Sequence, residues 1–457
     1  MSIINSTDTI CALATAPGGA LGFIRISGPQ ALEILSRVFR GSGDTQPSPA
    51  LDVQSYLPNT IHYGHIVEYD AVSQHHIPID EVLLSVFRAP HSYTGEDSAE
   101  ISCHGSRYIL NKVLELLIAN GCRQAGPGEF TMRAYLNGKM DLSQAEAVAD
   151  LIASSNKTTH QMAMSQLRGR FSSELSELRD KLLKLTSLLE LELDFSDHED
   201  LEFADRNELS ELTKTIDDHI TRLANSFHTG NALKNGIPVA IIGAPNVGKS
   251  TLLNALLGEE RAIVSDIQGT TRDAIEDTIQ LGGITFRFID TAGIRHTDDQ
   301  IELMGIDRSI AAAQRAQIIL MMTEPGVPFP DIPIRDDQTV IRIENKTDAF
   351  QAKFGVGLDD LRQRLLDAAP KTADTDVIIT NARHYDALTR AHEHLERVLD
   401  GLQQKDSSLF TLHSSLPPDL VAEDLRLTLD TLAEITGGQI TPNEVLGNIF
   451  KNFCVGK

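Results

Sequence analysis

The stretch IPVAIIGAPNVGKSTLLNALLG, residues 237–258, limits what this chain can fold into more than any other. An apolar run of strand length leads into Gly243-Ala-Pro-Asn-Val-Gly248-Lys249-Ser250, and helix formers follow. The spacing is G-x-x-x-x-G-K-[ST], in the strand–loop–helix context that a phosphate-binding loop requires. Its glycines let backbone N–H groups approach phosphate oxygens, and the helix N-terminus adds the positive end of its dipole. Lys249 reaches the outer phosphates and Ser250 offers its hydroxyl to Mg²⁺. The consequence is an α/β nucleotide domain that begins near Leu233, inside the turn-rich FHTGNALKNG.

The base follows from Asn345-Lys346-Thr347-Asp348. Guanine presents adjacent N–H donors on its Watson–Crick edge, and an acceptor-only carboxylate such as Asp348 can take both; adenine lacks the pair. Between the two motifs stands Asp290-Thr291-Ala292-Gly293. Asp290 closes the run TFRFID, where a metal-linked carboxylate belongs, and Gly293 allows close approach to the γ-phosphate. In Gly269-Thr270-Thr271-Arg272-Asp273 the second threonine, Thr271, can complete the Mg²⁺ shell. GTP is therefore the expected substrate.

At 457 residues the chain exceeds what one core supports, so two or three domains are expected. No apolar run approaches the roughly 18 residues of a membrane span, which predicts a soluble protein with no membrane partner. The N-terminus lacks a basic n-region. Cys11, Cys103, Cys122 and Cys454 are scattered without C-x-x-C or Cys/His ligand spacing, which argues against a disulfide framework and a zinc site and for a cytoplasmic setting. A formal net charge of −24 disfavours non-specific nucleic-acid binding, so a nucleic-acid substrate would need local basic patches or a partner.

Strand-like runs (ALGFIRIS, DEVLLSVF, SAEISCHG) and one amphipathic helix, SRYILNKVLELLIANG, fill the chain up to Gly121. From Asp141, which with Gln144 reads as a capping box, the pattern turns helical. Leu167, Phe171, Leu175, Leu178, Leu182, Leu185 and Leu189 mark one helix face. The acidic run Glu190 to Glu211 reads as a solvated helix end and linker. Past about residue 375 helices return, with a Val421, Leu425, Leu429, Leu432 stripe closed by Gly437. The fold class is α/β plus α: an N-terminal α/β domain over 1–121, a helical domain over 122–232 and 375–457, and a Ras-like P-loop domain inserted at 233–374.

The segments GAPNVGKS, AIVSDIQGTTRD, DTAGIR and NKTD, with the CVGK tail, resemble the MnmE (TrmE) family of tRNA-modification GTPases over nearly the whole chain. The resemblance implies a GTPase that, with the FAD-dependent MnmG (GidA) partner, adds an aminomethyl or carboxymethylaminomethyl group at C5 of the wobble uridine of certain tRNAs. It implies nucleotide contacts from Asn246, Val247, Gly248, Lys249, Ser250 and Thr251, from Ser265, Asp266, Ile267, Gln268, Gly269, Thr270 and Thr271, and from the two later motifs. A bound K⁺ would neutralise phosphate charge, ligated by Asn246, Ser265, Ile267 and Thr270; carbonyl and amide oxygens can replace its hydration shell. Ras-like enzymes orient the attacking water with a glutamine just after D-x-x-G, but Ile294 holds that position here. The resemblance gives the role to Glu302, whose plain reading is an exposed helix-start carboxylate. Arg272 would couple switch movement to the rest of the protein, or form a loop salt bridge. One departure stands out: the segment after Asp348 is short, with Gln351 where the family's S-A-K/R loop has serine. The last strand is expected to be truncated or displaced and nucleotide binding weak.

TDTICALATAPGGALGFIRISG and APHSYTGEDSAEISCHGS resemble the family's N-terminal domain, which dimerises and binds 5-formyltetrahydrofolate or a related one-carbon folate. The carried-over contacts are Arg25, Glu100 and Lys139, each otherwise readable as a surface ion-pair residue. A carboxylate suits pterin N–H donors, and Arg25 and Lys139 suit the folate's carboxylates. The tail lysine, Lys457, is implied to reach the same site. Cys454 is either a nucleophile there or a thiol that merely lines it. Prenylation is a poor reading of this tail, because Gly456 breaks the aliphatic pair and Lys457 is not a usual terminal residue. The alternative function, from another class, is a regulatory GTP switch acting on a partner or ribosome without direct chemistry.

Overall fold

The computed structural model describes residues 8–41, 52–70, 72, 74–194, 206–259, 277–289, 310–371, 376–403, 418–438, 446, 449–451 and 453–456. The chain divides into two compact units: residues 1–152, 167–172 and 433–457 form one, and 153–166 with 173–432 form the other.

In the first unit the strands are β1 (Ile10–Leu13), β2 (Leu21–Ser27), β3 (Phe39–Gly41), β4 (Thr60–Asp70), β5 (His75–Phe87), β6 (Ser98–His104) and β7 (Arg123–Gln124). They form one sheet in the order β3-β4-β5-β6-β2-β1-β7, antiparallel except for the β1–β7 pair. The alternation of β2 sends Ile24 and Ile26 inward with Leu84, Val86 and Ile101 of neighbouring strands. Helices α1 (Ala31–Val38) and α2 (Arg107–Ala119) cover that face with Ile34, Leu35, Leu110, Val113 and Leu117. Arg25, Glu100 and Ser85, in register across β2, β6 and β5, lie on the opposite face. The sheet takes β7 just beyond Gly121, where the sequence pattern had closed the domain. Helices α3 (Glu129–Leu136) and α4 (Leu142–Ala153) follow. The capping box is reciprocal: Gln144 N donates to Asp141 Oδ1 and Asp141 N to Gln144 Oε1, both at 2.9 Å.

The second unit holds α5 (Lys157–Leu167) up to Gln166, most of α6 (Arg170–Asp194), and α7 (Arg206–Asn235), with a five-stranded sheet. Leu167 does not begin the α6 stripe: it ends α5, and Gly169 at φ +78° breaks the helix before the buried Phe171. The 3.6-residue period runs through this break, so the pattern alone could not reveal it. From Phe171 to Leu189 the predicted face is buried. In the helix Pro418–Thr436, Val421, Leu425 and Leu432 are buried, Leu429 is half-buried, and Gly437 follows at φ +77°.

The second sheet runs β12 (Thr339–Glu344), β11 (Ile318–Thr323), β8 (Ile237–Gly243), β10 (Ile284–Phe288), β9 (Asp277–Leu281); only β9 is antiparallel to its neighbour. β11 is buried along its whole length, as a central parallel strand covered on both faces must be. Leu252, Leu253 and Leu256 of α8 (Lys249–Glu259) pack on one face, and Ala312, Ala313 and Ala316 on the other. Strand order reverses at β8, so its carboxyl end opens on the crevice where such sheets bind ligands. Among the described residues no helix is long and apolar enough to cross a membrane.

Candidate functional site

The loop from Gly243 to Lys249 leaves β8 and enters α8 directly. Asn246 at φ +61° and Gly248 at φ +95° adopt left-handed backbone, which curls the loop around the space where phosphates sit. Asn246 is exposed on it; Ser250 and Thr251 begin the helix. Lys249 Nζ donates to the carbonyls of Gly243 at 2.7 Å and Ala244 at 2.9 Å, and burial lowers its pKa from the ordinary lysine value. The ammonium thus rests on its own loop, within reach of the phosphate space.

Asn345 joins the two nucleotide motifs. Buried, it donates from Nδ2 to the Val247 carbonyl at 2.8 Å and accepts at Oδ1 from Ala352 N at 3.1 Å. A Cβ on Gly248 would stand 2.5 Å from that Nδ2, so only glycine permits the approach. Lys346, at φ +64°, pairs with Glu324, and Asp348 is exposed. Beyond Asp348 the chain makes a turn closed by Thr347 N to Phe350 O at 3.1 Å, a bridge between Gln351 and Val356, and a 3-10 turn at Ala352–Phe354. The helix Leu358–Ala368 follows directly, with no sixth strand among the described residues. Ser265, Asp266, Ile267, Gln268, Gly269, Thr270, Thr271, Arg272, Asp290, Thr291, Ala292, Gly293, Ile294 and Glu302 lie outside the described residues, as does Lys457.

In the first unit Arg25 and Glu100 are direct cross-strand partners. Arg25 Nη2 and Nε reach Glu100 Oε1 at 2.7 and 3.0 Å, with side chains 16% and 31% exposed, so the pair is only half withdrawn from water and still open to a ligand. The guanidinium carbon lies 5.2 Å from the Tyr93 ring centroid and 5.6 Å from that of Phe130, a cation–π arrangement on both aromatics. Burial raises the Tyr93 pKa against the opposing effects of Thr131, bonded at 2.8 Å, and of Arg25. Lys139 Nζ donates to the Pro90 carbonyl at 2.9 Å, on the segment that carries Tyr93.

The chain's end belongs to this site. Val455 bridges Pro127, Gly128 N donates to the Cys454 carbonyl at 3.3 Å, and Arg25 Nη1 donates to the Gly456 carbonyl at 3.3 Å. Gly456 is at φ +92°, and a Cβ there would stand 2.1 Å from the Leu13 carbonyl oxygen. Cys454 is exposed, whereas Cys11, Cys103 and Cys122 are buried, and burial pushes the Cys103 thiol up to about 12. Sequence reasoning missed Tyr93, Phe130, Gly128 and Gly456; the aromatic in PHSYTGED and the penultimate glycine were the available signals.

The family model described as "MnmE helical domain" matches residues 142–454, and "GTP-binding protein TrmE N-terminus" matches residues 9–139. The tRNA modification GTPase MnmE of Phocaeicola vulgatus is 51% identical, with all of both chains covered. That of Bacteroides thetaiotaomicron is 50% identical over 98% of this chain and 99% of its own, and that of Porphyromonas gingivalis 46% identical with all of both covered. Among solved structures, the cytosolic domain of the T. maritima FeoB iron transporter in a GDP form covers 43% of this chain and 96% of its own at 16% identity, with a TM-score of 0.21, too slight a likeness to bear on the fold. The two family models and the full-length relatives converge on one conclusion: the chain belongs to the MnmE family, and it is a GTPase acting in tRNA modification.

Proposed function

We propose that the chain is a K⁺-activated GTP hydrolase that, together with an FAD-dependent partner of the MnmG (GidA) kind, adds an aminomethyl or carboxymethylaminomethyl group at C5 of the wobble uridine of certain tRNAs. The observation that carries the K⁺ reading is Asn246, held left-handed and exposed on the phosphate loop ahead of α8. Ser265, Ile267 and Thr270 would complete that cation's shell, and Ser250 and Thr271 would hold Mg²⁺. Bound K⁺ supplies positive charge against the phosphates, the part an arginine finger plays elsewhere. Glu302 would orient water and Arg272 would pass on the switch movement. The test is GTP turnover in K⁺ against Na⁺ at equal ionic strength: turnover rises in K⁺, and equal rates would remove the cation from Asn246.

The first unit supports a tetrahydrofolate site. Glu100 offers a carboxylate to pterin N–H donors, Arg25 a guanidinium, and Tyr93 and Phe130 flat apolar surface beside them. Lys139 and Lys457 would meet the folate's carboxylates, with Cys454 beside them on the tail as the candidate nucleophile. Ile61, Tyr63 and Leu83 are exposed on the sheet, and this face would form the homodimer contact. The protein would work in the cytoplasm, where the partner compensates the acidic balance in holding tRNA. Glu100→Ala is expected to abolish tetrahydrofolate binding in equilibrium dialysis; unchanged affinity would exclude this site.

A further inference from the structure

Residues 153–166 make a short excursion: they pack as part of the second unit, while the chain up to Ile152 and again from Leu167 belongs to the first. The excursion is α5, and its docking is specific. Asn156 Oδ1 accepts from Thr159 N at 2.9 Å, capping α5, while the same side chain's Nδ2 donates to Thr285 Oγ1 of β10 at 2.8 Å. Gln280 Nε2 of β9 donates to the Ser155 carbonyl at 2.8 Å, and Thr158 N donates to the Gly283 carbonyl, in the β9–β10 turn, at 3.2 Å. Met162 of α5 packs against the core beneath the sheet.

In sequence, β9 and β10 are the stretch that joins Gly269-Thr270-Thr271 to Asp290-Thr291-Ala292-Gly293, the two motifs that answer to the γ-phosphate and its metal. β10 is fixed on one side by three register pairs with the central β8. Among the described residues the edge strand β9 and the turn have no second strand neighbour, and α5 grips the hairpin there. We propose that α5 is a positioning element for the tRNA-modification reaction: Asn156, through Thr285, ties the nucleotide-dependent setting of the β9–β10 hairpin to the chain of the first unit on both sides of α5. The inference rests on the family's GTPase activity alone and is independent of the potassium and folate readings. A coupling needs an element that both sites bias. A helix clamped to the hairpin along its side and continuous with the other unit at both ends has that form.

The experiment uses the full chain. Thr285→Val removes the acceptor without touching the cap, and Asn156→Ser keeps a capping residue but is too short to reach Thr285. Amide hydrogen exchange over residues 157–167 is compared in GDP and in a non-hydrolysable GTP analogue, beside steady-state GTP hydrolysis and modified-nucleoside content of tRNA from cells carrying each variant. In the native protein α5 exchange should differ between the nucleotides. In both variants that difference should vanish, hydrolysis should stay within about twofold, and modification should fall by at least about fivefold, the lower end of ordinary coupling energies. Nucleotide-independent exchange of α5 in the native protein overturns the proposal, as does native-level modification in Thr285→Val. Hydrolysis and modification that fall together with the melting temperature would reduce the contact to folding and equally overturn it.

Discussion

The two sites are put together in opposite ways. The phosphate loop is contiguous, five residues between a strand and a helix, with left-handed backbone at Asn246 and Gly248. The Arg25 site gathers β2, β6, the Tyr93 segment, α3 and a carbonyl 431 residues away at Gly456. A contiguous site survives damage elsewhere in the fold, whereas an assembled site depends on whatever holds its pieces in register. For the assembled site much of that holding falls to Arg133. Only 2% exposed, it bonds the Asp8 carboxylate, Glu96 Oε1 at 3.2 Å and Glu129 Oε1 at 3.2 Å. Glu96 in turn accepts from Ser27 Oγ at 2.7 Å, two residues along β2 from Arg25.

The sharpest way to break this comparison is Arg133→Met. Glu96 would lose the Arg133 cation while Asp8 and Glu129 would keep only Arg123, and breaking a buried charge network of this kind costs up to about 3–5 kcal/mol. Thermal unfolding of the first unit should shift strongly, while nucleotide binding at the contiguous loop persists; loss of both would show that the sites do not differ in this way. Acid should mimic the substitution. Burial raises the pKa of Glu129 and of Asp8, but hydrogen bonds and charges from Arg123 and Arg133 outweigh it, with the Gly126 N–H assisting at Glu129, so both pKa values are lowered. Stability from these groups is full above their unfolded pKa values, near 4. It is lost as pH falls through the lower folded values, and a pH titration of the native protein's melting temperature should show that loss.

Lys249→Ala is the converse. It should cut GTP hydrolysis on the order of a hundredfold, as removal of one preorganised phosphate contact does, with little change in either unit's melting. A comparable fall in melting temperature would mean that the ammonium's bonds to Gly243 and Ala244 are structural.

This asymmetry also decides what was legible. Lys249, Ser250 and the Asn345–Asp348 motif could be placed because their chemistry requires fixed spacing, and they stand at the carboxyl side of β8 and β12. That Asn345 bridges to Val247 and Ala352 follows from the β12-β11-β8 order, which spacing does not encode. Arg25 and Glu100 could be named only through resemblance, because their pairing is a matter of strand register. Tyr93 and Phe130 carry no motif. The Glu129–Arg133 pair at i, i+4 was readable on one helix, but Asp8 reaches it from 125 residues away. Leu167 shows the limit of periodicity: one left-handed glycine ends a helix without changing the apolar count.

Gly456→Ala probes the tail's share of the assembled site. Left-handed strain and the clash with Leu13 should together oppose docking by about 1–3 kcal/mol, which raises exchange of the Gly128 amide roughly fivefold or more. An unchanged Gly128 exchange rate would place the tail's hold elsewhere. Because the phosphate loop has no part in this contact, GTP binding should be unaffected.

The smallest effect sets the two units against each other in pH. In the second unit His392 of the helix Ala382–Gln403 has Nδ1 2.6 Å from Asp217 Oδ1 of α7, and Nε2 3.5 Å from Glu396. Burial lowers its pKa, but the Asp217 bond and the charges of Asp217, Glu396 and Glu393 outweigh it and raise the value above the ordinary histidine range. A raised folded pKa gives stability that is complete below the unfolded value near 6.5 and fades as pH climbs through the folded one. The second unit should therefore lose at most about 1 kcal/mol on the alkaline side, a figure kept small because solvent screens the pair. The first unit's carboxylate network weakens only in acid. His392→Gln should flatten the alkaline slope of the second unit's melting temperature and leave the acid slope of the first untouched. An alkaline slope that survives in His392→Gln would assign it to another group.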